Sequence, residues 1–181
     1  RRFLMAVGIF GLGDFSHTML ILLASQALTP SLGFAAASSI AIGLYLLHNV
    51  FYAAFAYLAG WLSDHVRHRR WVLAAGYALA IVMAALLASG GAHLSILVAI
   101  FALAGIVVGV EEALEDSIAA ELVSREQHGM AFGTLAAVNA LGDFGSSLFI
   151  GLLWSAFSPT AGFAAAGALF LCGLTLLLMT G

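Results

Sequence analysis

Lysine is missing altogether from this chain: its six basic residues are all arginine, and charged residues make up only 8% of its 181 positions. A soluble domain of that length needs a polar coat, and 63% hydrophobic content with a mean hydropathy of +1.09 cannot supply one. Cysteine is nearly as scarce. Cys172 alone excludes an internal disulfide and reads as a small apolar filler in mid-helix. The two prolines, Pro30 and Pro159, both fall between apolar runs. A net charge of −3 says little about partners, and no nucleic-acid partner is expected. Where the charges lie says more.

What the chain does have is long Ala/Leu/Ile blocks, which make lipid the alternative solvent. A helix rises about 1.5 Å per residue, so crossing a hydrocarbon core of roughly 30 Å takes about 20 apolar residues. The runs Trp71–Ser89 and Ala161–Thr180 contain no charged residue. A closed β-barrel would show alternating polarity, which these blocks do not. The first run is too long for a signal peptide, carries Asp14 and His17, and lacks a cleavage pattern. The chain opens on Arg1 and stops inside an apolar run, so it is expected to be a piece of something longer.

The pattern predicts an all-α membrane protein whose six transmembrane helices cover about Phe3–Leu28, Phe34–Trp61, Trp71–Ser89, Leu94–Leu122, Met130–Phe157 and Ala161–Thr180. Three breaks have turn chemistry: Thr29-Pro30-Ser31-Leu32-Gly33, Gly90-Gly91-Ala92-His93 and Ser158-Pro159-Thr160. The other two are charged: Asp64 to Arg70, and Ser124 to Gly129. With six crossings, Arg1, Arg2, Arg67, Arg69, Arg70 and Arg125 all fall on one side, and the three opposite loops carry no Asp, Glu, Lys or Arg. Basic residues at helix ends are retained on the cytoplasmic side, so both termini are expected there.

The segment Gly60-Trp61-Leu62-Ser63-Asp64-His65-Val66-Arg67-His68-Arg69-Arg70 resembles the cytoplasmic motif of the major facilitator superfamily, Gly-x-Leu-Ala-Asp-(Arg/Lys)-x-Gly-(Arg/Lys)-(Arg/Lys). Gly60, Leu62, Asp64 and Arg69 match; Ser63 stands for Ala, His65 and His68 for basic residues, and Arg67 occupies the glycine position. Gly60 would let another helix approach closely. Asp64 would accept hydrogen bonds from free amides at the next helix start, where the dipole also favours an anion. The arginines, Arg70 included, would hold a neighbouring helix end until transport breaks that contact. An ordinary positively charged loop is the plainer alternative. Arg125-Glu126-Gln127-His128-Gly129-Met130-Ala131-Phe132-Gly133 looks like the Glu-x-Arg-Gly-x-Ala-x-Gly segment of the family's second half, and Gly151-Leu152-Leu153-Trp154 like the close of its fifth helix. The resemblance covers the whole chain. It implies a carboxy-terminal six-helix half, built as two three-helix inverted repeats, in the inner or plasma membrane of a bacterium.

Charge inside a bilayer is expensive, roughly 2.5 to 3.5 kcal/mol for a central Asp on insertion scales, so such groups normally face a bundle interior or a watery cavity. Asp14 falls about 16 Å along the first run, near mid-membrane, with His17 one turn on. An acid beside an imidazole can hold and pass a proton, or simply tie two helices. In the fourth run, Glu111, Glu112, Glu115 and Asp116 share one sector of about 140° on the wheel. Four carboxylates this close cannot all carry charge cheaply, which makes a proton-holding cluster, unless Glu115 and Asp116 are merely solvated at the interface. Tyr45, His48, Asn49 and Tyr52 form one stripe, and Asn139, Asp143 and Ser146 another beside Gly142. Either stripe suits a substrate-facing surface or interhelical hydrogen bonding. Gly105/Gly109 and Gly129/Gly133 read as close-packing pairs.

In the family, the first and fourth helices of each half line the central cavity, which would put Asp14, His17, Glu111 and Glu112 on the transport path. The expected protein is then no enzyme but a secondary transporter, proton-coupled and working by alternating access. Its expected partners are a small-molecule or ion substrate, protons, the lipid bilayer and a homologous six-helix half. A transporter-like sensor is the rival reading. An aspartyl intramembrane protease built on Gly11-Leu12-Gly13-Asp14 and Asp143 is a remote one, since the required Pro-Ala-Leu segment is absent. Of the six histidines only His65 and His68 lie close in sequence, so neither a metal nor another cofactor is expected.

Overall fold

The computed structural model describes residues 2–90 and 93–179. Arg1, Gly91, Ala92 and Thr180, to which the sequence assigned a loop charge, turn positions and a helix end, lie outside the described residues. Those described form seven α-helices: α1 (Arg2–Gly11), α2 (His17–Leu32), α3 (Phe34–His65), α4 (Arg69–Ala88), α5 (Leu94–Glu121), α6 (His128–Ala156) and α7 (Pro159–Leu178), with a 3-10 turn at Arg125–Gln127. Five segments are long and apolar enough to cross a membrane: 34–65, 69–88, 94–121, 125–156 and 159–178.

The extra helix comes from the first expected span, which is not continuous. It breaks over residues 12–16, and the composition explains why. Gly11 and Gly13 are poor helix formers, while Asp14 and Ser16 compete for nearby backbone amides. The Ser16 hydroxyl caps α2 by accepting from the Thr18 amide at 3.4 Å. Tertiary packing then holds the break. A Cβ on Gly13 would sit 2.9 Å from the Ala166 carbonyl oxygen, and one on Gly142 would sit 3.1 Å from the Gly11 Cα. The Ser16 amide also donates to Ser147 Oγ on α6 at 3.3 Å.

Two boundaries shift as well. The expected loop at 29–33 shrinks to Gly33, because α2 runs through Pro30 to Leu32 before Gly33 turns the chain at φ 78°. At its far end α3 runs on to His65, which places Asp64 in its last turn. The residue preceding α4 is His68, with no side-chain cap, so Asp64 does not cap α4 as the motif led us to expect.

Inside lipid no hydrophobic effect pulls helices together, and close packing has to do it. Phe10 stacks on Tyr77 with ring centroids 3.6 Å apart and meets Phe170 at 4.6 Å, joining α1, α4 and α7. Helices α3 and α5 join through Gly105 and Gly109, where an added Cβ would lie 2.3 Å from the His48 carbonyl oxygen and 2.6 Å from that of Tyr52. Gly129, Gly133 and Gly60 face open space instead. The expected packing therefore holds for the first pair alone, and among the described residues nothing lies within 4 Å of a Cβ built on Gly60. Arg2, Arg67, Arg69, Arg70, Glu121 and Leu177 line one cavity, gathering the start of α1, the turn before α4 and the ends of α5 and α7 at one end of the bundle. The end of α4 and the start of α7 meet α2 at the other, around Ala27, Leu87 and Pro159.

Candidate functional site

The acidic sector of α5 divides once its neighbours are in place. Glu111 and Glu115 point inward and are 7% and 1% exposed, while Glu112 and Asp116 are exposed. Glu115 joins three helices: Tyr77 on α4 donates to its Oε1 at 2.6 Å, and Asn139 Nδ2 on α6 donates to its Oε2 at 3.0 Å. Glu115 is thus buried and bonded rather than solvated. Glu112 accepts from the Tyr52 hydroxyl of α3 at 2.5 Å. That contact depends on the glycine-mediated approach of α3 to α5, one turn below.

Asp14 lies in the helix break, half-buried, within electrostatic reach of Asp143, Glu115, Glu112 and Glu111. The break upsets its expected partnership with His17. A continuous helix would stack the two one turn apart, but no hydrogen bond or ion pair joins them among the described residues. The His17 ring turns instead to His48, at 4.5 Å between centroids, and to Tyr45 at 6.4 Å. His48 is 3% exposed, stacks on Tyr45, and has no hydrogen-bond partner at either ring nitrogen among the described residues. Asn49 drops out of the stripe, donating to the Tyr45 carbonyl of its own helix at 2.7 Å. On α6, Asn139 reaches Glu115, Ser146 is fully buried, and Asp143 is exposed. A void of about 10 Å³ beside Asp14 and His17 has room for roughly one water.

Asp14, Glu111, Glu112, Glu115 and Asp143 therefore lie within electrostatic reach of one another, with Asp116 one turn further along α5; His17 and His48 form a neighbouring pair, and Asn49 stands apart. No arginine enters this cluster, since the described ion pairs involve Arg69 alone. Sequence reasoning missed Tyr77, which sits in a run read simply as uncharged. A lone phenol in an apolar helix was the available signal, because a buried Tyr hydroxyl usually finds a partner. Ser147 and Ser117 gave no such sign.

At the arginine end, Arg69 holds three helices. Its Nε donates to the Ser63 carbonyl at 3.1 Å and its Nη1 to Ser117 Oγ at 2.5 Å; it pairs with Glu121 at 3.2 Å and Asp64 at 3.5 Å. Arg67 is exposed, Arg70 lies 6.0 Å over the Trp71 ring, and Leu62 is 39% exposed.

Apolar helices of spanning length, with carboxylates turned inward and arginines gathered at one end, define a multi-pass membrane protein. The chain belongs to the Major Facilitator Superfamily, whose family model matches residues 3–180. It is 32% identical over 157 residues to an uncharacterized MFS-type transporter of Methanocaldococcus jannaschii, a match covering 85% of this chain and 38% of that relative. The fold is similar to a peptide transporter, POT, solved in complex with sulfate (20% identity, TM-score 0.71) and to an auto-inhibited POT family peptide transporter (19%, 0.75). Each likeness covers 99% of this chain but only 36% and 37% of the solved one. The chain thus spans under half the length of the relatives it matches.

Proposed function

We propose that this chain is a six-span half of a secondary transporter that moves a small solute by alternating access, coupled to protons. Helices α1 and α2 act in series as the first span, a reading supported by the start of α1 and the body of α2 lining cavities at opposite ends of the bundle. Both termini then fall at the arginine end, which the positive-inside rule assigns to the cytoplasm. A second, homologous half packs on the face that exposes Glu112 and Asp143, and the solute passes between the two. The fold likeness to peptide transporters assigns no substrate.

The observation that carries the coupling is the burial of Glu111 and Glu115 beside Asp14 with no basic partner among the described residues. A buried carboxylate without a cation costs several kcal/mol as an anion, and exchanging a proton relieves that cost. The test uses the full-length protein in vesicles with a trapped pH-sensitive dye and a panel of small cationic and amphiphilic solutes. Solute-driven proton movement is expected in the wild type and lost when Asp14→Asn and Glu111→Gln are combined. Intact proton movement in that variant would refute the coupling.

A further inference from the structure

We propose that the arginine-lined end of the bundle binds the phosphate-bearing headgroup of an anionic phospholipid. The cavity there measures about 650 Å³, and Arg2, Arg67, Arg69 and Arg70 all line it. One carboxylate, Glu121, lines it too, and Arg69 engages both Glu121 and nearby Asp64. Among the described residues Arg2, Arg67 and Arg70 have no carboxylate partner, so three arginines line one cavity with no ion pair of their own. Like charges held together call for an anion, and guanidinium pairs with phosphate through two parallel hydrogen bonds. Helix α4 begins at the same place with no side-chain cap, adding free amides and a positive dipole end. Arg67 stands where the resembled motif has glycine, so its charge is an addition to that motif.

The walls favour a lipid over a free phosphate ion. Phe3, Ile118, Leu122 and Leu177 supply apolar surface beside the arginines. Phe3 and Leu122 also line an adjoining cavity of about 350 Å³ whose other walls include Leu4, Val123, Met130 and Ala131. A charged cavity sharing Phe3 and Leu122 with a mostly apolar one, at the end of apolar helices, suits a headgroup with the start of an acyl chain. Basic pockets between transmembrane helices bind such headgroups.

Native mass spectrometry of the full-length protein, loaded with either phosphatidylglycerol or phosphatidylcholine, tests this. The wild type should retain at least one phosphatidylglycerol and show no such preference for phosphatidylcholine. Arg67→Gln with Arg70→Gln should weaken retention by roughly 10- to 30-fold, as each cation near an anionic surface is worth about fivefold. Arg67→Lys with Arg70→Lys should keep most of it. Should the double glutamine variant fail to fold, exposed Arg67→Gln alone should still cost roughly fivefold. Equal retention of the two lipids, or no loss in the glutamine variants, overturns the proposal. So does displacement of the lipid by millimolar inorganic phosphate, which would make the site one for a free anion.

Discussion

Glu115 shows how one residue can be half legible. The helical wheel groups Glu111, Glu112, Glu115 and Asp116 correctly, yet says nothing about which edge of that sector meets another helix. The division is made by two tyrosines on different helices, Tyr77 inside and Tyr52 at the edge. Removing the Tyr77 hydroxyl leaves a 1%-exposed carboxylate with Asn139 as its remaining donor among the described residues. A buried polar group that loses its partner costs about 1–3 kcal/mol, more when charged. Tyr77→Phe should therefore lower the thermal unfolding midpoint of the detergent-solubilised protein by several degrees. Tyr52→Phe, whose partner Glu112 is open to water or to the second half, should move it far less. Equal shifts would mean that Glu115 is not the buried tie described here. His17 teaches the opposite lesson: its pairing with Asp14 is reasonable for an unbroken helix and fails because residues 12–16 are not one.

At the scale of elements, five of the six expected spans appear within a few residues of their expected ends, because lipid-length apolar runs bounded by Gly, Pro or charge leave few alternatives. The break in the first span was hidden. Its glycines look like packing residues, and packing is what they do, against Gly142 and Ala166 across the interface. Periodicity cannot distinguish a glycine that joins helices from one that also interrupts its own. The two small-residue pairs make the same point, being alike in sequence and unlike in place. Gly109→Ala would push a methyl to 2.6 Å from the Tyr52 carbonyl oxygen and 2.8 Å from the Ala56 amide, which requires α3 and α5 to part. Such overpacking costs about 1–3 kcal/mol. Gly133→Ala meets nothing within 4 Å and should gain a few tenths to about 1 kcal/mol from helix propensity. Opposite shifts of the unfolding midpoint are expected. A neutral Gly109→Ala would show that α3 and α5 pack more loosely than their backbones here suggest.

For the whole molecule, the proposed alternating access would ask each half to move as a body, so contacts within a half and contacts between halves should have different signatures. Arg69 belongs to the first kind. It fastens the end of α3 to the start of α4 and the end of α5 through Ser63, Ser117 and Glu121, and is only 25% exposed. Asp64, in the proposed transporter, belongs to the second. Its side chain is 71% exposed, its ion pair with Arg69 is 3.5 Å long, and a surface pair of that kind is worth no more than about 1 kcal/mol. Its value in the proposed transporter is to engage and release a helix end of the partner half. Asp64→Ala should therefore slow transport in vesicles while leaving membrane insertion and the unfolding midpoint nearly unchanged. Arg69→Ala strips several contacts at once, each worth about 0.5–1.5 kcal/mol or more when charged, and should lower the midpoint clearly. Should Asp64→Ala leave turnover at the wild-type value, the residue is a solvated helix end, and the gate must be sought elsewhere along the face where Glu112 and Asp143 are exposed.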